Sequence, residues 1–488
     1  MPLNSLQDSA LGAIRGVRSY IGDLGTPTIR LGVTGLARAG KTVFITALVR
    51  NLVHGGRLPF LSAYADGRVA RAFLAPQLDD AVPRFDYEGH LATLAQDPPA
   101  WPESTRQITQ LRVTIEYAPV SALRRSIGAR RLHLDIVDYP GEWLLDLALI
   151  GQSYEAFARE AIDLAREPAR AGVAAPWLAH LASLDPAAAA DEPKAIEAAK
   201  VFTAFLHQAR AGAHALSTLG PGRFLLPGDL AGSPLVSFAP LDMPAGWTPP
   251  MGSLAAMMER RFESYKVHVV TPFFRNHFSR LDRQIVLVDA LSAINAGADG
   301  VEDLKRALAA CLKSFRPGTN SWLSALVGRR IDRVLFAATK ADQLPQASHD
   351  RLEAALRHVT EAAASRAGAS GAQISVVALA SLRATREAER RAGGETMACI
   401  VGTPWPGERI AGRVFDGTAE AAIFPGDIPA DLPAALANGA AHGGLDVLHF
   451  VRFRPPPIGD DPARTTPLPW PHIRLDRSLE FLIGDRLT

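Results

Sequence analysis

Apolar positions along the chain follow two different periods. Short, nearly continuous apolar runs occur at Thr28–Thr34, Ile285–Val288, Val334–Ala338 and Ile374–Ser381. Runs of this length predict strands of a parallel sheet that is covered on both faces. Ile108–Tyr117 alternates apolar and polar residues and predicts an edge-type strand. Arg131–Val137 predicts a second strand paired antiparallel with it. Helical spacing dominates elsewhere. Val43–Val49 reads as the start of a buried helix, and Ser348–Ala364 and Leu475–Leu487 as helices packed on the sheet. Between about Ile150 and Phe262 the chain is rich in Ala and Leu, with helical spacing over Tyr154–Ala165, Trp177–Leu184, Ala195–Ala209 and Leu254–Arg261. Gly55–Pro102 is broken by Pro59, Pro76, Pro83, Pro98 and Pro99 and predicts short helices and loops.

The termini have a different character. Leu6, Leu11, Ile14, Val17 and Ile21 predict an N-terminal helix over 1–25 that packs on the body; a membrane-surface helix is the alternative. Residues 1–25 carry no signal-peptide pattern. Arg383–Arg391 predicts a charged helix, followed by short β-like runs at Ala398–Val401, Ile410–Phe415, Ala421–Phe424 and Val447–Phe453. Arg452, Arg454 and the Pro455–Pro457 run read as a stiff loop, or as a partner-binding strip. A chain of 488 residues exceeds one ordinary core. The expected division is an N-terminal helix at 1–25, a nucleotide-binding core from 26–150 and 265–385, a helical insertion at 151–264, a β-rich subdomain at 386–470 and a closing helix at 471–488.

Charge and cysteine content narrow the functional classes. Lys and Arg total 52 against 50 for Asp and Glu, so nothing global argues for nucleic acid or an anionic membrane as partner. Cys311 and Cys399 are far apart and lack His or Cys neighbours at ligand spacing, which predicts two reduced thiols in a cytoplasmic protein.

The chemistry begins where the first strand meets the first helix. Gly35-Leu36-Ala37-Arg38-Ala39-Gly40-Lys41-Thr42 is G-x-x-x-x-G-K-T, the phosphate-binding loop. Its glycines permit backbone shapes in which successive N–H groups face an anion, and the helix start adds its positive dipole end. Gly35, Ala37, Arg38, Ala39, Gly40, Lys41, Thr42 and Val43 are therefore candidate phosphate contacts, with Lys41 on the β- and γ-phosphates and Thr42 on Mg²⁺. At the end of the 131–137 strand, Asp138-Tyr139-Pro140-Gly141 matches D-x-x-G. Asp138 is expected to hold Mg²⁺, largely through water, and the Gly141 N–H to sense the γ-phosphate. Thr105 is the candidate switch threonine for Mg²⁺, with Thr109 second.

The strand Val334–Ala338 ends in Thr339-Lys340-Ala341-Asp342, the [N/T]-K-x-D element that reads guanine. A carboxylate there accepts from guanine N1–H and the 2-amino group, donors that adenine lacks in that arrangement. Ala380 and Ser381, at the end of the next strand, occupy the O6-contacting position. Asp289, which no x-x-Gly follows, is expected to cap a turn.

These pieces occur in the order a Ras-like G domain requires, although nearly two hundred residues separate Gly141 from Thr339. The predicted fold is α/β: a P-loop NTPase with a Ras-like G domain, a large helical insertion and a β-rich C-terminal extension. The predicted function is Mg²⁺-dependent GTP binding with slow hydrolysis to GDP and phosphate. Two alternatives stay open, a P-loop ATPase and a nucleotide-bound scaffold with negligible turnover. Catalytic candidates are Lys41, Glu142, which stands where many Ras-like proteins place a water-orienting Gln, and Arg38, which supplies charge in cis or forms a surface salt bridge.

The phosphate loop with its helix, Trp101-Pro102, Asp138–Leu144, Thr271–Phe274, Leu281–Asp289, Thr339–Asp342 and Leu479–Asp485 together resemble the YcjX-like family. The resemblance spans most of the chain. It implies a bacterial, stress-associated P-loop protein with a Ras-like GTPase core, family-specific insertions and a cytoplasmic setting. It supplies no physiological target, so the helical insertion is only a candidate surface for a protein effector or activator.

Overall fold

The computed structural model describes residues 26–35, 39–103, 105, 107–121, 128–211, 220–313, 331–369, 371–392, 395–410, 412–437, 448, 450–458 and 469–488. The N-terminal helix expected over 1–25, and the candidate residues Ala37 and Arg38, lie outside the described residues, as does the side chain of Cys311.

The fold is mixed α/β around a seven-stranded sheet in the order β2-β3-β4-β1-β5-β6-β7. Its strands are β1 (Thr28–Gly35), β2 (Val69–Ala75), β3 (Thr109–Tyr117), β4 (Arg130–Asp138), β5 (Arg283–Val288), β6 (Arg333–Ala338) and β7 (Gln373–Ala378). β4, β1, β5, β6 and β7 run parallel, and β2 and β3 add an antiparallel edge. The apolar runs form this parallel centre because their side chains are buried on both faces. Leu335 and Ala337 of β6 join one apolar cluster, and Val334 and Phe336 join the other. On the first face lie α1 (Lys41–Val53), through Phe44, Ile45, Leu48 and Val49, and the C-terminal helix Leu475–Ile483, through Leu479 and Leu482.

The second face is covered by α-helices and by the segment between β4 and β5. That segment contains α2 (Trp143–Leu147), α3 (Tyr154–Ala165), α4 (Pro168–Ala182), α5 (Glu192–Ala211) and α6 (Leu254–Tyr265). Aromatic residues at helical spacing hold these helices together. Phe157 stacks on Phe262 at 5.0 Å between centroids, and Trp177 stacks on Phe205 at 4.9 Å. Truncating such a residue, for example Trp177→Ala, costs about 3–5 kcal/mol. No helix among the described residues is long and apolar enough to cross a membrane.

Four expectations are corrected. Val69–Ala75, expected within a region of short helices and loops, is the edge strand β2, paired with β3 from Arg71↔Glu116 to Ala75↔Arg112. Ile108–Tyr117 is therefore an internal strand instead of an edge. The charged helix expected over Arg383–Arg391 is strand β8 (Arg386–Ala392), paired antiparallel with β9 (Glu395–Gly402). Its local i,i+4 charge pattern loses to the ladder because β9 carries the buried Cys399, Ile400 and Val401. Val447 lies outside the described residues, and Phe453 makes an isolated bridge with Pro404 where a strand was expected.

Candidate functional site

β1 ends at Gly35 against β5. A Cβ on Gly35 would meet Leu287 Cβ, Leu287 O and Ala39 Cβ, each at 3.0 Å, so a larger residue would crowd the chain where it leaves the sheet. Gly40 has φ +81°, in the left-handed region that favours glycine, and caps α1. Gly40 has no side chain to cap this helix and the first turn holds no acid, so the N–H groups at its start are open to an anionic partner. Lys41 and Thr42 open the helix, with Thr42 buried.

Three oxygens converge beside that helix start. Thr105 Oγ1 donates to Asp138 Oδ2 at 2.5 Å. Thr42 Oγ1 lies 3.5 Å from Thr105 Oγ1 and donates to the Glu103 carbonyl at 3.3 Å. Asp138 Oδ1 is buried with no hydrogen-bond partner among the described residues. Burial raises the Asp138 pKa, while the charge of Lys41 acts against that shift. Two hydroxyls and a carboxylate with an orphaned oxygen suit Mg²⁺, which takes hard oxygen ligands and keeps several waters. Among the described residues no group of three or more His, Cys, Asp or Glu is placed to hold a metal. Thr109, the second candidate, sits opposite Asp138 in the β3–β4 ladder, but it is the hydroxyl of Thr105 that reaches the carboxylate.

Gly141 and Glu142 follow on the loop into α2. The Glu142 carboxylate pairs with Arg210 in the last turn of α5, with side-chain exposures of 9% and 20%. Glu142 therefore faces the helices between β4 and β5 and does not line the cleft described below. The contact is close: a Cβ on Gly222 would lie 2.1 Å from the Glu142 carbonyl oxygen. One turn on, Asp146 accepts from Gly222 N at 2.6 Å, Arg223 N at 3.3 Å and Tyr265 OH at 2.7 Å. Burial pushes the Asp146 carboxyl up to about 6.

The far end of the site is built after β6. Thr339 N donates to the Val288 carbonyl at 2.9 Å. Lys340 adopts φ 62°, and its ammonium pairs with Asp289, which also caps the short helix Ala290–Asn295 through Ser292 N at 3.2 Å, as expected of a capping residue. Asp342 is buried and its pKa is raised by burial. Its Oδ2 accepts from Ala384 N at 2.8 Å and its carbonyl from the Thr385 hydroxyl. The Ala341 N–H donates to the Leu379 carbonyl at 3.1 Å, tying this loop to the Ala380-Ser381 segment.

A single cleft of about 420 Å³ joins the two ends. Ala39, Gly40, Lys41, Thr42 and Val43 line one part of it, and Thr339, Lys340, Asp342, Ala380 and Ser381 another. Thr105 and Asp138 adjoin Thr42 without lining the cleft, and Gly35 and Gly141 are likewise outside its lining. The lining also includes residues that the motifs give no part in the site, among them Trp101, Pro102, Trp405, Arg452 and Phe453. Arg210 was also missed. Its only signal was a position late in an inserted helix, and the fold is what brings it to Glu142.

Comparison with known proteins places the chain in a family. The model of the YcjX-like family, DUF463, matches residues 29–487. The chain is 38% identical over 469 residues to the Ras-like GTPase YcjX of Escherichia coli (strain K12), covering 94% of this chain and 96% of that protein. It is 34% identical over 482 residues to the Ras-like GTPase YcjX of Shewanella oneidensis, covering 94% of each. Matched across almost its whole length by the family model and by both relatives, the chain belongs to the YcjX-like family.

Proposed function

We propose that the cleft binds GTP with Mg²⁺ and hydrolyses it slowly to GDP and phosphate, making the chain a nucleotide-controlled switch. One observation carries this reading: a glycine-capped helix start and a buried strand-end aspartate open into the same cleft. The first favours a polyphosphate and the second a base with paired donors. The two relatives are Ras-like GTPases by name, which points the same way.

In this reading Lys41 and the N–H groups at the start of α1 hold the phosphates, and Gly141 contributes its N–H beside the γ-phosphate. Thr42, Thr105 and Asp138 would hold Mg²⁺, which when bound neutralises charge on the β- and γ-phosphates. Asp342 accepts from the guanine N1–H and 2-amino group. The Lys340 stem lies along the base, and the Ala380-Ser381 backbone faces O6. Glu142 has its charge matched by Arg210. No neutral amide side chain orients the attacking water at that position, which keeps turnover slow. Arg38 stays a candidate for charge in cis. The helices between β4 and β5 present the surface for an effector, in a cytoplasmic stress-response setting.

The test is equilibrium binding of fluorescent GDP and ADP with Mg²⁺, together with phosphate release from GTP, for wild type and Lys41→Ala. The expected outcome is at least about hundredfold preference for GDP, with slow phosphate release that Lys41→Ala abolishes. Equal binding of ADP would refute the guanine reading, and phosphate release unchanged in Lys41→Ala would refute the hydrolytic one.

A further inference from the structure

We propose that the C-terminal segment completes the nucleotide cleft, with Trp405 packing on the purine ring of the bound nucleotide. This rests on the guanine-nucleotide reading above and adds the residue that covers the base.

A chain of contacts places the aromatic wall at the Asp342 end. Ala384 and Thr385 hold Asp342 through its Oδ2 and its carbonyl. Gly402, at the end of β9, is packed against the same two residues: a Cβ on it would lie 3.1 Å from Ala384 O, 3.2 Å from Thr385 Cγ2 and 2.8 Å from Phe453 Cδ1. Phe453 bridges Pro404, and on either side Trp405 N donates to the Arg452 carbonyl at 2.7 Å and Arg454 N to the Thr403 carbonyl at 2.8 Å. Trp405 is thus fixed, through its own backbone, to the strip that stands beside Asp342.

The chemistry of this wall suits a base and not a phosphate. Phe453 is buried in an apolar cluster with Ile400, Ala421 and Ile423, whereas Trp405 is half-buried and faces the cleft. Arg452, the cation by which this strip lines the cleft, is engaged by Glu408 at 2.6 Å. A purine offers a flat π-face, and stacking on an aromatic ring is its usual apolar contact with protein.

The same strip also touches the phosphate side. Trp101 Nε1 donates to the Phe453 carbonyl at 2.8 Å, and Trp101 lies just upstream of Thr105, whose hydroxyl reaches Asp138.

The experiment compares wild type, Trp405→Ala and Trp405→Phe for binding of GDP and of pyrophosphate with Mg²⁺, and follows the change in tryptophan emission on adding GDP. Trp405→Ala is expected to weaken GDP about tenfold or more, Trp405→Phe to stay within about threefold, and pyrophosphate binding to be unchanged in both. The GDP-induced emission change should shrink in Trp405→Phe. Trp405→Ala binding GDP within about threefold of wild type would overturn the inference, as would an undiminished emission change in Trp405→Phe if the alanine variant does not fold. Wild type failing to bind GDP at all would overturn the nucleotide reading instead, so the two failures are distinct.

Discussion

Arg210, carried by an inserted helix, pairs with Glu142, the residue directly after Gly141. The pair sits among further contacts between the same two parts of the chain, including the close approach of Gly222 to the Glu142 carbonyl and the three donors that converge on Asp146. The loop expected to sense the γ-phosphate is thereby tied to the helices between β4 and β5. Removing one partner of a largely buried pair leaves a desolvated charge behind, at a cost of about 3 kcal/mol. Arg210→Ala should therefore lower the melting temperature, and adding Glu142→Gln should restore much of the loss. Equal melting of wild type and Arg210→Ala would show that the pair contributes nothing.

Asp146 makes stability depend on pH in a defined window. Unfolded, this carboxyl ionises near 3.8; in the fold, burial keeps it protonated up to about 6. The folded state thus binds the extra proton between those values. Its stabilising contribution is full below the lower value and is lost as pH rises through the upper one, about 3 kcal/mol in all. Asp146→Asn, which cannot ionise, should lack this component. Chemical denaturation of wild type and variant from pH 4 to pH 6.5 checks it: the difference between them should change by about 2 kcal/mol over that range, and a constant difference would contradict it.

Thr105 is the more easily removed part of the proposed Mg²⁺ site, because its hydroxyl bonds to Asp138 while Thr42 and Asp138 belong to α1 and β4. Thr105→Ala removes a donor to the buried Asp138 carboxylate and should cost about 1–3 kcal/mol of stability in the absence of Mg²⁺. It should also raise the Mg²⁺ concentration needed for half-maximal GTP binding about tenfold. Isothermal titration at a series of Mg²⁺ concentrations measures this, and an unshifted midpoint would remove Thr105 from the site.

Much of this arrangement was legible because local rules and the fold agree. Gly35 and Gly40 stand where the backbone needs them, and the apolar runs at Ile285–Val288 and Val334–Ala338 become central strands. In sequence Thr105 is marked only as a Thr upstream of a strand, and the structure brings it to Asp138. What stayed hidden depends on long-range pairing. Val69–Ala75 is only partly buried and carries Arg71 mid-strand, so its pattern alone does not announce a strand; its pairing with β3 makes it one. Trp405 and Arg452 reach the cleft beside the Pro404–Phe453 bridge and the hydrogen bond from Trp101 to the Phe453 carbonyl, contacts between distant parts of the chain that no spacing encodes. The motifs defined both ends of the cleft, and the C-terminal wall between them became visible only in three dimensions.

The central claim, a guanine-reading cleft, is tested most directly at Asp342. Xanthine carries a carbonyl where guanine has its 2-amino group, so an amide at this position should exchange one preference for the other. Equilibrium binding of GDP, XDP and ADP with Mg²⁺ to wild type and Asp342→Asn should show GDP preferred by the wild type. In the variant, GDP should weaken about hundredfold or more, with XDP becoming the tighter ligand, because a buried polar group left without its partner opposes the wrong base. GDP and ADP binding equally well to both proteins would contradict the account.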